Sequence, residues 1–374
     1  MSSAAAAPGA GVYRLEVSHW AVPKEGRGGG PSRPSEDSYL FSPDALVVCD
    51  GVGGWAARGI DSGAYSRALC AGAARALQDA AAEERLQFLL PKPLLLLQAG
   101  YQHACGERLE GSSTALVALL DGDRLRTASL GDCVLLVIRG EEVVFRTAES
   151  LHAFNFPFQL GPASRDGPDS ATEQECVVQA GDVLVAASDG LFDNVHDAEI
   201  ASIVSNYEPA AEEVEAEEGS SGEGLAGALG RVALAVARSS VAKSPFGKQM
   251  YQEQGTLYRG GKMDDITVLA ANVVVSARPS GDGVQWGCVK MLNFASKTRN
   301  CVSKTRNFVF KMMNFVFKMM NFAALPRASP RRWTGTSELK MMNFILKMMD
   351  FILQMMTFIL KMTKRSRVTE KTCD

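Results

Sequence analysis

The stretch Leu46-Val47-Val48-Cys49-Asp50-Gly51-Val52-Gly53-Gly54-Trp55 decides how the chain is organised. Its apolar start predicts a short buried strand that ends at the carboxylate of Asp50. The glycines that follow allow a sharp turn and a close approach of the backbone to whatever Asp50 binds. We therefore expect a carboxylate at the end of a core strand, with a glycine turn beside it.

The same design recurs further along the chain. Residues 182–190 form a second apolar run that ends at Asp189-Gly190, and the pair Asp264-Asp265 precedes a third run over 266–275. A single Asp-Gly is usually a plain turn, but three carboxylates at the ends of apolar strands suggest one shared metal site. Hard cations such as Mg²⁺ and Mn²⁺ prefer such oxygen ligands. The pattern alone leaves the reaction open.

Composition indicates a globular protein with a sizeable core, since 46% of the 374 residues are hydrophobic and 22% are charged. The charge is unevenly spread. From Ala277 onward 18 Lys or Arg stand against 5 Asp or Glu, whereas the preceding residues hold 21 against 37. The 8 cysteines show no CxxC spacing, which argues against a zinc site or a disulfide framework and favours a reducing compartment.

Short predicted strands follow one another after two predicted helices. The helices are expected over 61–82 and 93–109, and strands over 12–18, 38–41, 115–120, 124–130, 133–139 and 143–147. The last four strands leave no room for crossover helices, so their sheet must be antiparallel. We predict an α+β fold with a central antiparallel β-sandwich flanked by helices. Beyond it we expect an irregular loop over 150–169, helices over 198–205 and 225–239, and a polar loop over 246–262.

Residues 277–374 differ from the rest of the chain. Lys290, Lys297, Lys304, Lys311 and Lys318 each open a seven-residue unit, and the array resumes after a Pro/Arg-rich break. The period suits a helix, but the other positions are too apolar for a coiled-coil seam. A lysine about every two turns disfavours a membrane span. Three interpretations stay open: a tandem expansion with no folded role, a self-associating or membrane-surface amphipathic helix, and a helix for a specific partner.

Six motifs stand in an order that resembles the metal-dependent serine/threonine protein phosphatases of the 2C type, over roughly 12–275. They are Glu36-Asp37, Asp50-Gly51-Val52-Gly53-Gly54, Gly111-Ser112-Ser113-Thr114, Leu130-Gly131-Asp132, Ser188-Asp189-Gly190-Leu191-Phe192-Asp193 and Gly261-Lys262-Met263-Asp264-Asp265. Three segments resemble the organelle branch in particular: Asp50 to Trp55, Phe154 to Leu160 and Ser188 to Asn194. That branch includes a mitochondrial coenzyme Q-related phosphatase and plant plastid relatives.

The resemblance implies hydrolysis of phosphoserine and phosphothreonine in proteins by a water activated between two Mg²⁺ or Mn²⁺ ions. Asp50 would bridge the ions, and Gly51 would offer its carbonyl. Asp189 and Asp264 would complete the coordination of one ion, and Glu36 or Asp37 would complete that of the other. Asp132 matches an acid near a third, weaker metal position, and Asp265 is expected behind the ligands. Asp50 and Asp189 are the candidate catalytic residues.

Two departures from the family pattern concern proton transfer and phosphate binding. Val52 stands where many members have a histidine proposed as the general acid. Ser32 stands where a phosphate-binding arginine is usual, and Arg33 is one residue away. We hypothesise that metal-bound water or another histidine donates the proton. His152, in the aromatic loop, is the best candidate among His19, His103, His152 and His196.

The expected organisation is a disordered 1–11, a phosphatase domain over 12–276 with an acidic mobile loop at 207–224, and a basic tail over 277–374 outside the catalytic fold. We expect a phosphoprotein substrate, no nucleic acid, and a soluble, monomeric catalytic domain. The location is expected to be intracellular. The family branch suggests a mitochondrion or plastid, but the first 30 residues fit a transit peptide poorly, so the cytoplasm stays open. The alternatives are a non-catalytic pseudophosphatase that acts as a regulatory binding module, and a small-molecule phosphohydrolase.

Overall fold

Two antiparallel sheets pack face to face in the computed structural model, which describes residues 12–25, 34–87, 92–208 and 224–276. Within these ranges the first sheet has the order β1-β12-β11-β6-β7 and the second has the order β10-β5-β4-β3-β2. The strands of the first sheet are β1 (Val12–Val22), β6 (Val134–Arg139), β7 (Glu142–Arg146), β11 (Val183–Ala187) and β12 (Ile266–Ser276). Those of the second are β2 (Ser38–Ser42), β3 (Ala45–Cys49), β4 (Ala115–Asp121), β5 (Arg124–Leu130) and β10 (Thr172–Val177).

The apolar strand β3 shows how the layers form. Every residue of β3 is buried, because alternate side chains face opposite sides of the sheet and both sides are covered. Leu46 and Val48 pack between the sheets with residues such as Leu135 and Leu269. Val47 and Cys49 pack outward against a helical layer. The continuous apolar run of the sequence is therefore a doubly covered core strand.

Helices cover the outer face of each sheet. On the second sheet these are α1 (Ser62–Gln87) and α2 (Pro93–Gly106), whose Tyr65, Leu69 and Leu97 are fully buried. On the first sheet they are α4 (Asp197–Ser205) and α5 (Gly224–Arg238). The predicted α+β sandwich flanked by helices is confirmed.

Three local predictions were wrong. The expected polar loop over 246–262 begins with a helix, α6 (Pro245–Gln254), because the Ser244 hydroxyl accepts a hydrogen bond from Gly247 N and Pro245 stands at the first helical position. The irregular loop over 150–169 contains a hairpin of β8 (Leu151–Ala153) and β9 (Phe156–Pro157), turned at Asn155 with a φ of 53°. Edge strand β10 was not foreseen, because none of its residues is fully buried and it lacks an apolar face.

Several predicted segments lie outside the described residues: the N-terminus 1–11, most of the glycine-rich loop before Glu36, nearly all of the acidic segment 207–224, and the basic tail 277–374. Their assignments stay predictions. Among the helices of the described ranges, none combines the length and apolar character needed to span a membrane.

Candidate metal centre

The predicted carboxylates gather at one end of the sandwich because of the strand register within each sheet and the packing of the two sheets on each other. Cys49 pairs with Ser38, which brings Asp50 beside Asp37. Ala187 pairs with both Val134 and Val268, which brings the residues after β11 beside those before β6 and β12. Asp189 opens the short helix α3 (Asp189–Phe192) at this end. The carboxylates from both sheets lie near enough to repel one another: Asp37, Asp50, Asp132, Asp189 and Asp264.

The turn after β3 is held by close backbone contacts. Gly51 N donates to the Glu36 carbonyl at 3.1 Å, and Thr114 N donates to the Asp50 carbonyl at 2.9 Å. The Ser66 hydroxyl donates to the same Glu36 carbonyl at 2.6 Å. A Cβ on Gly51 would lie 2.6 Å from Glu36 O and 2.9 Å from Ser62 O, closer than real side chains approach. Glycine at position 51 therefore lets the Asp50 strand end pack against Glu36.

Two carboxylate oxygens of the cluster are buried without a hydrogen-bond donor among the described residues: Asp37 Oδ1 and Asp189 Oδ1. The other Asp37 oxygen accepts from the Ser188 hydroxyl at 2.8 Å. A buried acceptor without a partner is unfavourable, and a carboxylate supplies acceptor sites only. Oxygen ligands with open lone pairs in a polar pocket fit the requirements of hard divalent cations. The residues present therefore fit a metal site.

The electrostatics of the cluster point the same way. Burial, followed by the negative charges of Asp37 and Asp189, raises the pKa of Asp50 well above its usual range. Burial and the charge of Asp265 raise the pKa of Asp37 to about 8. Burial and Asp189 likewise raise the pKa values of Asp132 and Asp264. Grouped carboxylates with raised pKa values mark a site that needs positive charge.

Two lysines that the sequence reasoning did not assign supply part of that charge. Lys24 Nζ lies 2.5 Å from Glu36 Oε2, 3.5 Å from Asp264 Oδ1 and 3.6 Å from Asp265 Oδ2. Lys262 Nζ lies 2.6 Å from Asp189 Oδ2 and 2.6 Å from Asp193 Oδ2. Burial lowers the pKa of each lysine, but the surrounding carboxylates more than reverse this effect.

Asp193 also belongs to the cluster and was missed as a site residue. Burial raises its pKa to about 7, although Lys262 opposes that shift. The spacing of Asp189 and Asp193, four residues apart at a helix start, was the available signal, because such residues share a helix face. Asp265 accepts hydrogen bonds from Lys24 N at 2.9 Å and Glu36 N at 3.4 Å, which fits the expected position behind the ligands.

The ion pairs have a geometric consequence. Across the described ranges, no three His, Cys, Asp or Glu side chains are placed to hold a metal ion as they stand. Glu36, Asp189 and Asp264 instead direct oxygens toward the two lysines. The carboxylates converge on one region, and three of them pair with lysines there.

A cleft runs from these carboxylates between the β8–β9 hairpin and α6. Asp132, Asp189 and Asp193 lie on its acidic side. Phe154 and Phe246 line its apolar side, with ring centroids 5.2 Å apart. The cleft therefore joins the candidate metal centre to an aromatic wall.

The described residues that line this cleft include no histidine. His152 Nε2 instead lies 3.1 and 3.0 Å from the two carboxylate oxygens of Asp166, and its ring stacks on Phe158. Burial raises the pKa of Asp166, but contacts with His152 and backbone groups outweigh this and lower it. His152 thus anchors the hairpin loop, and its role as a proton donor stays a prediction. The other three histidines do not line the cleft either: His19 contacts Tyr39, His103 contacts Arg75, and His196 contacts the Lys243 carbonyl.

Comparison with known proteins identifies the family. Residues 45–274 match the family model described as Stage II sporulation protein E (SpoIIE). A relative from Oryza sativa subsp. japonica, named as a protein phosphatase 2C, is 34% identical over 247 residues, which cover 64% of this chain and 73% of the relative. The protein phosphatase PTC7 homolog of Homo sapiens is 36% identical over 249 residues, which cover 62% of this chain and 76% of the homolog.

Solved structures agree with these sequence matches. The X-ray structure of the photosystem II phosphatase PBCP superposes with a TM-score of 0.58 and 29% identity, covering 69% of this chain and 98% of that protein. The sandwich of the described residues is thus the fold of a known phosphatase. The chain accordingly belongs to the 2C-type phosphatases and is a protein-serine/threonine phosphatase.

Proposed function

We propose that this phosphatase hydrolyses phosphoserine and phosphothreonine with two divalent cations, Mg²⁺ or Mn²⁺, held by its carboxylate cluster. The observation that carries the proposal is a pair of buried oxygens, Asp37 Oδ1 and Asp189 Oδ1, to which no described residue donates a hydrogen bond and whose carboxylates both lie near Asp50. When bound, such ions supply electrophilic activation of the phosphate and lower the pKa of a coordinated water.

The residue roles follow from which carboxylates neighbour Asp50. Asp50 lies among Asp37, Asp189 and Asp264, so it would serve as a ligand to both ions. Glu36 or Asp37, with the Gly51 carbonyl, would hold one ion, and Asp189 with Asp264 the other. Ser188 orients Asp37 through its 2.8 Å hydrogen bond, and Thr267 N in turn donates to the Ser188 hydroxyl at 3.1 Å.

The test of this proposal is Mn²⁺-dependent hydrolysis of a phosphothreonine peptide. Wild type, Asp50→Ala and Asp189→Ala are compared, each with and without residues 277–374, and the exposed Asp123→Ala serves as the matched control. We expect wild type and Asp123→Ala to require Mn²⁺, and the two site variants to lose about 100-fold or more of the activity. Equal activity in all variants would overturn the site assignment. If activity is lost only when residues 277–374 are removed, the activity depends on the tail and not on the carboxylate cluster.

A non-catalytic binding module is the competing function. The observation that favours it is the pair of lysines, which neutralise part of the cluster where no ready-made metal cage exists among the described residues. A pseudophosphatase would bind the phosphopeptide without Mn²⁺ and would release no phosphate. Isothermal titration of the peptide, run with and without Mn²⁺ beside the activity assay, separates the two functions.

We also propose that the catalytic unit is a monomer over 12–276 that acts on phosphoproteins inside an organelle. Similarity to PBCP, a phosphatase of photosystem II, supports this location. A fluorescent fusion of the full chain tests it. Diffuse cytoplasmic fluorescence would contradict the organelle, and a dimer in analytical ultracentrifugation would contradict the monomer.

A further inference from the structure

We propose that Ser112 is a positioning residue of this phosphatase. Its hydroxyl group links the turn that follows Asp50 to the base of the β8–β9 hairpin, and it thereby holds one wall of the cleft in place for a peptide substrate. The inference rests on the proposed function, because the phosphopeptide is the substrate that this wall would contact.

The Ser112 side chain bonds two elements at once. Its Oγ atom accepts a hydrogen bond from Trp55 Nε1 at 2.6 Å and donates one to Gln159 Oε1 at 2.6 Å. An indole N–H can only donate, so the hydroxyl oxygen accepts from it and the hydroxyl hydrogen is left for the Gln159 oxygen. Ser112 is 1% exposed, which keeps water from competing for these bonds. The three side chains therefore form one chain in which each hydrogen bond polarises the next.

One end of this chain belongs to the candidate metal centre. Trp55 lies on the turn that follows Asp50, in a short 3₁₀ helix that begins at Gly53. The backbone of the same turn is bound to Ser112 as well, since Val52 N donates to the Ser112 carbonyl at 3.0 Å. Ser112 therefore holds this turn through its side chain and through its main chain.

The other end of the chain belongs to the hairpin. Gln159 follows β9 and lies at the base of the β8–β9 hairpin. Beside it, Ser113 N donates to the Leu160 carbonyl at 2.9 Å and Leu160 N donates back to the Ser113 carbonyl at 2.8 Å. Gly161 packs so closely on Ser112 that a Cβ there would lie 2.7 Å from Ser112 Cβ. The base of the hairpin is thus attached to the same short segment that holds the turn.

The hairpin reaches the cleft beside the carboxylates. Leu151, Phe154 and Asn155 line the cleft together with Asp132 and Asp189. A peptide chain on either side of a phosphorylated residue would lie against this wall, whereas a small aryl phosphate could reach the carboxylates without it. A displaced hairpin is therefore expected to weaken peptide binding and to leave hydrolysis of a small substrate unchanged.

Steady-state kinetics of the full-length protein with Mn²⁺ test the inference on two substrates, a phosphothreonine peptide and p-nitrophenyl phosphate. Wild type is compared with Ser112→Ala, Gln159→Met and the double variant. We expect kcat/KM for the peptide to fall about 10-fold, mainly through KM, and to the same extent in all three variants, because either substitution breaks the link. For p-nitrophenyl phosphate kcat/KM should stay within about twofold of wild type.

The matched control is Ser42→Ala. Ser42 is also a buried serine whose hydroxyl donates to a neighbouring side chain, that of Asp44. It pairs with Ala45 at the end of the β2–β3 hairpin that is remote from Asp50. We expect this variant to keep wild-type kinetics on both substrates, so a loss that is confined to the peptide and to the Ser112 and Gln159 variants is a positioning effect.

Amide hydrogen exchange of the metal-free protein gives a second readout that does not depend on activity. The amides of residues 157–161 should exchange about fivefold faster in Ser112→Ala and Gln159→Met than in wild type, and those of β11 should be unchanged. This pattern would locate the effect in the base of the hairpin.

Three results would overturn the role of Ser112: equal losses on the two substrates, additive losses in the double variant, and unchanged exchange of residues 157–161. If Ser112→Ala does not fold, Gln159→Met decides, because Gln159 is only half-buried and its substitution removes the same link. A wild type without Mn²⁺-dependent activity on either substrate would overturn the proposed function, whereas exchange in the metal-free protein would still decide whether Ser112 holds the hairpin. The two failures are therefore distinguishable.

Discussion

Asp50 is surrounded by four other aspartates, and its pKa is raised by burial and by their negative charges. Among the described residues, no lysine forms an ion pair with Asp50, whereas Glu36 and Asp189 each pair with one. A carboxylate in this position destabilises the folded protein at neutral pH unless a cation is present. The charge that would let Asp50 bind a cation therefore also lowers the stability of the cation-free protein.

Asp50→Asn is expected to separate these two effects. The metal-free variant should melt at a higher temperature than metal-free wild type, by about 2–4 °C for each kcal/mol of repulsion removed. The same variant should bind Mn²⁺ at least about 10-fold more weakly. Thermal melts in chelator and Mn²⁺ calorimetry at pH 7 measure the two quantities. A metal-free melting temperature below that of wild type would contradict the electrostatic argument.

The pH dependence of the metal-free protein follows from Asp37. Its folded pKa of about 8 lies above an unfolded value of about 3.9, so the folded state binds the proton more tightly. The stability that this proton provides is complete below about pH 4 and is lost as the pH rises through about 8. We expect this contribution to make the melting temperature in chelator fall between about pH 4 and 8 and level off above that, and to fall less steeply in Asp37→Asn. Identical slopes for the two proteins would show that Asp37 is not the titrating group.

At the residue scale, the sequence could predict that carboxylates lie close together where each of them follows or precedes an apolar strand, while their roles as ligands stay predictions. Asp50, Asp189 and Asp264 each stand at such a position. Register aligns the strands within each sheet, and the packing of the two sheets brings Asp50 to the other two. Lys24 could not be found this way, because its contact with Glu36 depends on how the chain returns after β1. Lys262 stood inside a quoted motif, but sequence does not reveal whether a lysine beside aspartates points into a cluster or into solvent.

At the scale of elements, the turn after β3 holds the centre together. Gly51 fits between the Glu36 carbonyl and the start of α1, whereas a Cβ added at Gly54, three residues later, would meet no atom within 4 Å. The two glycines thus differ in packing although they share one turn. The aperiodic elements were the harder ones to predict. Helix α6 lacks an apolar stripe, and only Ser244-Pro245 marked its start.

Gly51→Ala and Gly54→Ala form a matched pair for this turn. We expect Gly51→Ala to destabilise the protein by about 1–3 kcal/mol and to weaken Mn²⁺ binding, because the new methyl group collides with backbone atoms. Gly54→Ala should change both quantities by less than about 0.5 kcal/mol. Urea unfolding and Mn²⁺ calorimetry provide the comparison. Equal effects of the two substitutions would mean that the close approach at Gly51 is unimportant.

At the scale of the whole molecule, the first and last described strands pair with each other in the first sheet. β1 pairs with β12 along its full length, from Val12 with Ser276 to Val22 with Ile266. The other described strands of both sheets, and the helices that cover them, lie between β1 and β12 along the chain. The sequence predicted that layout because strands, helices and turns alternate at regular spacing. It could not predict a role for 277–374, where one repeat period suits several structures.

Removal of residues 277–374 is expected to leave the catalytic unit intact. The fragment 1–276 should unfold in one cooperative transition and keep Mn²⁺-dependent activity within about twofold of the full chain, because β12 ends at Ser276. Calorimetry and the phosphopeptide assay measure both properties. A fragment that does not fold would place the tail within the catalytic unit.

The most direct test of the carboxylate cluster as a two-ion centre is an anomalous difference map from crystals grown with Mn²⁺. We predict two peaks that share Asp50 as a ligand at about 2.0–2.2 Å. One peak should also contact Asp189 and Asp264, and the other Glu36 or Asp37. The absence of any peak beside Asp50, at full Mn²⁺ occupancy elsewhere in the crystal, would contradict the two-ion centre.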